Sequence, residues 1–315
     1  MTVTSADVTA AYRLILGREP EDEAAVVAHL DCQSLDALRE RFMASPELSL
    51  AAGALPVGLH MNVNKDKVSI ACTPEQRQRM LDRIAKAWQA FGNDDPHWSV
   101  LTHDQYRRGS IDDRIDGFYA TGTSTVGQIV ALLSRNGLTP ADFPRVLDFG
   151  CGVGRLSLAL AAQFDRVVGV DVSPPHLTLA REQAHARSVA NTEFIHVQSI
   201  EGLADLPLCD LLFSLIVLQH NPPPVIAATI EGLLRLVAPG GAAVFQVPTY
   251  IAGFSFDAAT YLASDQEQME MNPLPQRHVF AIAARAGFVP LEVREDLSTG
   301  SANIVSQTFL FKRPG

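Results

Sequence analysis

The stretch VLDFGCGVGRLSLAL (146–160) sets Asp148 just ahead of Gly150, Gly152 and Gly154, between an apolar run and a helix-like run. Glycine weakens both strands and helices, so three of them at one junction point to a backbone that a ligand approaches closely; a tight turn alone is the plainer alternative. A dinucleotide fold asks for G-x-G-x-x-G. Here the third position is Arg155 counted from Gly150, or Ser157 counted from Gly152. The pattern is D-x-G-x-G-x-G, with its acid at the carboxyl end of the preceding strand. A carboxylate there repels a pyrophosphate and welcomes an ammonium group. The loop therefore suits a ligand with a cationic amino-acid end, and the spacing disfavours a nicotinamide dehydrogenase. His220, in FSLIVLQHNPPP, follows the fourth strand of the series, at the edge where open α/β sheets hold ligands. Its imidazole has the intrinsic pKa for proton transfer near neutrality. Its alternative role is to bond the loop backbone beside Pro222, Pro223 and Pro224.

The elements that position these residues are read from periodicity. From residue 145 strands and helices alternate: strands at 145–149, 166–170, 193–197, 210–218 and 241–247, and helices at 156–164, 174–188 and 223–237, with a turn at APGG (238–241). A helix at 276–288 follows, then strands at 289–296 and 303–312 joined by STGS. Such alternation implies a doubly wound, mostly parallel seven-stranded sheet. The last pair, so briefly joined, must be antiparallel. Upstream, residues 6–16, 21–30 and 35–43 have helical rhythm, with Gly17 as a stop and a capped turn at SPEL (45–48). Residues 73–92 read as a helix capped by Thr73, started by Pro74 and ended by Gly92. Another helix spans 126–133. The expected divisions are a helical N-terminal domain at 1–50, a linker at 51–72, a helical cap at 73–140 and the sheet domain at 141–315.

Of 315 residues, 47% are hydrophobic and 19% charged, enough for a sizeable core. Lysines and arginines number 25 against 35 acidic residues, a net charge of −10 that argues against nucleic acid as the main partner. Cys32, Cys72, Cys151 and Cys209 form no CxxC pair and read as reduced thiols of a cytoplasmic protein, without a metal site. The first residues lack a secretory signal's layout, and the longest apolar run, LLFSLIVL (211–218), is too short to span a bilayer.

With these residues in view, VLDFGCGVGRLS in its strand–loop–helix setting resembles the first motif of the class I S-adenosylmethionine-dependent methyltransferases, over roughly residues 110–315. The resemblance implies a Rossmann-like fold and S-adenosylmethionine as cofactor, with S-adenosylhomocysteine as product. Asp148 would orient the methionine amino group, and Gly150, Cys151, Gly152 and Gly154 would let the backbone hug the cofactor. Asp171 would accept both ribose hydroxyls through charge-assisted bonds; capping the next helix is its alternative, for which Ser173 is better placed. Val172 and Ile200 would pack on the adenine. Ser199 stands where many relatives carry Asp, so its hydroxyl would meet the adenine amino group instead. On the acceptor side His220, after the fourth strand, is the candidate general base, and Tyr250, Phe254 and His278, after the fifth strand, are candidate pocket lining; Phe118 and Tyr119 lie where similar segments of the family cover the cofactor or acceptor, so they form a lid or anchor the cap helix in the core, and Trp88 and Trp98 read as packing. O-methylation of a small molecule or glycan is the first expectation. N-methylation of a small metabolite, or a non-catalytic cofactor-binding scaffold, is the alternative. The pattern YRLILGREP…SLDALRERFMASPEL resembles a short helical domain of bacterial proteins, sometimes found beside glycan enzymes. That likeness is the source of the glycan option and of a protein partner engaged through the N-terminal helices.

Overall fold

The computed structural model describes residues 3–43, 45, 67–264, 269–296, 298–301 and 304–315. The chain divides into two compact units, one of residues 1–63 with 300–303, the other of residues 64–299 with 304–315. The expected cap at 73–140 thus belongs to the same unit as the sheet. Most of the expected linker (51–66) and of the SPEL turn lies outside the described residues.

In the first unit, Ser5–Ala11 starts from a capping box between Thr4 and Asp7. It runs on as a π-helical turn, Tyr12–Leu16, and stops at Gly17, whose φ is 69°. Helices Glu23–Val27 and Leu35–Met43 follow. Val8, Tyr12, Leu38 and Phe42 form its core, with Tyr12 and Phe42 edge to face at 4.9 Å.

The second unit begins with β1 (Lys67–Val68), which the sequence reading had assigned to linker. Val68 is buried with Met80, Leu81, Val225 and Phe256, which makes the segment part of a core. The sheet strands are β2 (Arg145–Phe149), β3 (Arg166–Asp171), β4 (Thr192–His196), β5 (Cys209–Ser214) and β6 (Val237–Ile251). The short β7 (Ser255–Phe256) pairs with β1. After it come β8 (Val289–Asp296) and β9 (Ile304–Lys312). The order is β4-β3-β2-β5-β6-β9-β8. The first five strands are parallel, and β9 runs antiparallel to both neighbours. Each face carries its own apolar core, one around Leu147, Leu212, Phe245 and Phe309, the other around Val146, Leu211, Phe213 and Val244. Alternate residues of β2, β5 and β6 supply both sides, which is why these strands read as unbroken apolar runs.

Three local readings change. Gly92 does not end its helix, which runs Pro74–Asp94. A Cβ at 92 would lie 2.7 Å from His176 Nδ1 and 2.9 Å from Ser173 Oγ, so glycine is there for close approach to the Pro174–Ala186 helix. The APGG segment lies within β6 as an irregularity, with Gly240 at φ 75° and a register shift against β5. The strand expected at 210–218 ends at Ser214; the rest of that run turns away to line a cavity.

Candidate active site

Between β2 and β5 the strand order reverses direction, the place where open α/β sheets form a crevice. Ser214 Oγ donates to the Phe149 carbonyl at 3.0 Å and ties the two strand ends together. A cavity of about 290 Å³ opens there. The glycine loop forms one wall. Gly150 and Cys151 both donate their N–H groups to Val170 O, at 2.7 and 3.1 Å. Gly150 has φ 78°, and a Cβ on it would sit 2.3 Å from both Val217 methyl carbons. A Cβ on Gly152 would sit 2.8 Å from a Val100 methyl carbon. Gly154 does not line the cavity; its missing side chain admits Ala180 and Phe194 at 3.1 and 3.3 Å.

Asp148 is buried, and its Oδ2 accepts the Ser157 hydroxyl at 2.6 Å. Burial pushes its carboxyl up to about 6, against the Ser157 bond and the nearby positive charge of Arg155. Asp171 accepts Gly152 N–H at 2.8 Å on Oδ2 and Ser173 N–H at 2.9 Å on Oδ1. It therefore holds the loop shape while keeping lone pairs for a ligand. Val172, Ser199 and Ile200 line the same wall. Ser199 Oγ accepts Gly202 N–H at 3.0 Å, leaving its hydroxyl proton to give. Cys151 lines the cavity too; burial raises its thiol pKa, which makes it an inert wall.

The opposite wall carries His220. Its Nδ1 lies 2.8 Å from Glu270 O, and its ring is 5.2 Å from that of Trp88. Burial lowers its pKa, opposed by the Glu270 carbonyl. Gln219 Nε2 lies 3.4 Å from His220 Nε2, and Gln219 Oε1 accepts from Gln246 Nε2 at 3.0 Å. Gln246 also donates to Ser306 Oγ and accepts the Ile216 N–H at 3.0 Å. Ile216 has φ 58°; it and Ser188 are the non-glycine residues of positive φ among those described. Met269 and Met271, flanking Glu270, line this side, as do Leu81, Ile84 and Trp88 of the Pro74–Asp94 helix.

Five expected acceptor-side residues are elsewhere. Phe118 is fully buried and Tyr119 donates its hydroxyl to Val153 O at 2.9 Å. Both anchor the Ile115–Arg135 helix behind the glycine loop, so neither is a lid. Tyr250 and Phe254 line a separate cavity of about 270 Å³ with Lys67. His278 sits in the Gln276–Arg285 helix and lines neither cavity. Conversely, Trp88, read from sequence as packing, faces the site, and so do Met269 and Met271. Leu81, Ile84 and Trp88 recur at helical spacing, a signal that marks a buried face without saying what it covers. Among the described residues no group of three or more His, Cys, Asp or Glu side chains is placed to hold a metal, and no helix is long and apolar enough to cross a membrane.

The wall chemistry fits S-adenosylmethionine: glycines whose added Cβ atoms would fill the cradle, an acid for an ammonium, and a second acid at the next strand end. Fold and site together define a class I methyltransferase architecture. Residues 146–241 match a methyltransferase-domain family. The trans-aconitate 2-methyltransferase of Streptomyces coelicolor is 33% identical over 161 residues, 50% of this chain and 52% of that protein. A ubiquinone biosynthesis O-methyltransferase of Paracidovorax citrulli is 34% identical over 108 residues, 34% of this chain and 44% of that one. The chain thus spans about half the length of the curated relatives it matches. Magnesium protoporphyrin IX methyltransferase from Synechocystis PCC 6803, solved with S-adenosylmethionine bound, shares the fold over 78% of this chain and all of that one, with a TM-score of 0.50 and 20% identity. Residues 146–241 thus match a methyltransferase domain, and the sheet around them has the fold of a methyltransferase solved with S-adenosylmethionine bound.

Proposed function

We propose that the protein uses S-adenosylmethionine to methylate a hydroxyl group of an uncharged small molecule. When bound, the cofactor supplies a methyl group activated by a sulfonium. Asp148 holds the amino group, and Asp171 accepts the ribose hydroxyls while fixing the Gly152 amide. Val172 and Ile200 sandwich the adenine, and Ser199 gives its proton to an adenine ring nitrogen. These contacts place the acceptor oxygen in line, where proximity contributes roughly 7–11 kcal/mol.

The observation that carries the oxygen reading is the bond between His220 and Glu270. A carbonyl can only accept, so Nδ1 must carry the imidazole proton. The neutral ring then carries a lone pair on Nε2, met among the described residues only by the Gln219 amide at 3.4 Å, and its burial favours the neutral form. The proton lost by a hydroxyl during methyl transfer moves to that nitrogen. The charged residues lining the cavity are Asp148, Arg155 and Asp171, all beside the glycine loop or β3. Around His220 the lining is Trp88, Met269, Met271 and neutral amides, which favours an aromatic or aliphatic alcohol over a polycarboxylate or a sugar. The glycan acceptor and the protein partner suggested by the N-terminal resemblance therefore stand second.

The test is a transfer assay with isotope-labelled cofactor against matched sets of phenols and alcohols, amines, and carboxylates. Methyl ethers from the first set, lost in His220→Gln, are expected. Turnover confined to amines or carboxylates would overturn the reading.

A further inference from the structure

Gln246 of β6 is fully buried, and its Oε1 accepts the Ile216 N–H at 3.0 Å. A backbone N–H can only donate, so the oxygen of this amide is fixed and its Nε2 must face the other way. There Nε2 gives one proton to Gln219 Oε1 at 3.0 Å and the other to Ser306 Oγ at 2.6 Å. Gln219 therefore turns its own oxygen to Gln246 and its Nε2 to the far side. That nitrogen carries two N–H groups, and among the described residues it has one partner, His220 Nε2 at 3.4 Å. Gln219 is buried and lines the cavity. The direction of its amide is thus set by a backbone group on the opposite side of the β6 side chain.

From the other end, the Glu270 carbonyl fixes the proton of His220 on Nδ1 and leaves a lone pair on Nε2. A group that gives a proton and a group that takes one therefore lie side by side in the same wall. Their 3.4 Å separation is long for a hydrogen bond, so little is lost when an entering group parts them. The group that fits must donate to Nε2, accept from Gln219 and still keep a lone pair with which to attack a methyl carbon. A hydroxyl oxygen has two lone pairs and does all three. A neutral amine has one. It either takes the Gln219 N–H or attacks, and attack strands that buried N–H at a cost of roughly ten- to hundredfold in rate.

We propose that Gln219 selects oxygen over nitrogen in the acceptor, by donating its Nε2–H to the atom that receives the methyl group. This rests on the hydroxyl reading above and names the residue that enforces it. The oxygen's second lone pair forms the bond to the methyl carbon, the electron pair of the broken carbon–sulfur bond stays on sulfur, and the hydroxyl proton passes to His220 Nε2. As that proton leaves, charge gathers on the oxygen, and the Gln219 N–H is already aimed at it. Gln246 touches no acceptor. It is a positioning residue, which acts by holding the Gln219 amide in the donating direction.

The test uses two matched pairs, phenol with aniline and 1-naphthol with 1-naphthylamine. The quantity read is the change in the hydroxyl-to-amine ratio of kcat between proteins, in which intrinsic reactivity cancels. Gln219→Met keeps the length of the side chain without the donor, and should lower that ratio by about ten- to hundredfold. Calorimetry on the S-adenosylhomocysteine complex should show the relative affinity for the two members of a pair moving by less than about threefold, because an amine at rest can accept the N–H. Gln246→Glu preserves shape but cannot donate, so Gln219 must turn its nitrogen to residue 246 and its oxygen to the cavity. The ratio should fall there too, and this variant carries the test if Gln219→Met does not fold. Methyl ethers formed with an unchanged ratio would overturn the proposal and leave the hydroxyl reading standing. Equal loss of both activities would overturn it as well, pointing to packing. No methyl ether from wild-type protein would remove the hydroxyl reading and this inference together.

Discussion

On the β3–β2 side of the cavity the polar lining is Asp148, Arg155 and Asp171; on the β5 side it is Gln219, His220 and Asn221, with Trp88 and two methionines around them. The first side carries fixed charge and is shaped by glycines at positive φ. The second is formally neutral and is shaped by a chain of amide hydrogen bonds from Ser306 through Gln246 to Gln219. Permanent charges suit a ligand that arrives with charges of its own. A neutral wall suits a group that enters uncharged, gives up a proton and leaves uncharged, because no fixed ion there has to be desolvated or repelled. On the proposed function, one sheet would separate recognition of a cofactor from handling of an acceptor by the type of polar group at adjacent strand ends.

The largest expected effect isolates the neutral side: His220→Gln should lower kcat by about 10²–10⁴-fold while S-adenosylhomocysteine affinity stays within roughly twofold. A parallel loss of affinity in calorimetry would mean that the two sides are not separable. Gly150→Ala tests where they touch, since its Cβ would meet Val217 of the neutral side at 2.3 Å. With φ at +78° as well, we expect a loss of about 1–3 kcal/mol in stability. Val217→Ala should recover part of it in thermal melts, and no recovery would show that the cost is in the backbone alone.

A pH series sharpens the contrast further. Asp148 must be ionised to hold an ammonium, and its carboxyl in the free protein titrates at about 6. Below that value S-adenosylhomocysteine affinity should fall about tenfold per pH unit. The ligand-free protein moves the other way. A carboxyl raised from 3.8 binds its proton more tightly folded than unfolded, so this group adds stability as pH falls from about 6 towards 3.8. Asp148→Asn should flatten both curves. If His220 is the base, the acid limb of kcat should lie below the usual histidine value of 6.5, because burial lowers its pKa. The smallest effect expected is that of Ser157→Ala. It removes one hydrogen bond to Asp148, worth about 1 kcal/mol, and should shift the midpoint of the binding curve upward.

The charged side was legible in the sequence and the neutral side largely was not. Asp148, Gly150 and Gly152 lie within one strand–loop junction, and Asp171 ends the next strand, so spacing alone delivers them to one wall. Trp88, Met269 and Met271 come from segments far apart in the chain, brought together only by packing over the sheet. Helical period revealed the buried face of Pro74–Asp94 but not its partner. Phe118 and Tyr119 stayed ambiguous in the sequence because an aromatic pair near a site serves a lid or a core equally well; their burial selects the core. Here the Tyr119 hydroxyl finds its partner at Val153 O, behind the loop.

Ile216 carries one last consequence. A β-branched residue at φ 58° costs of order 1–3 kcal/mol, and the Gln246 side chain holds it there against the cavity. Selection for heat tolerance alone would favour glycine or asparagine at 216, either of which relaxes the backbone. Such a variant should melt later but would take an apolar side chain off the cavity wall, so thermostability and the shape of that wall should trade against each other at this single position.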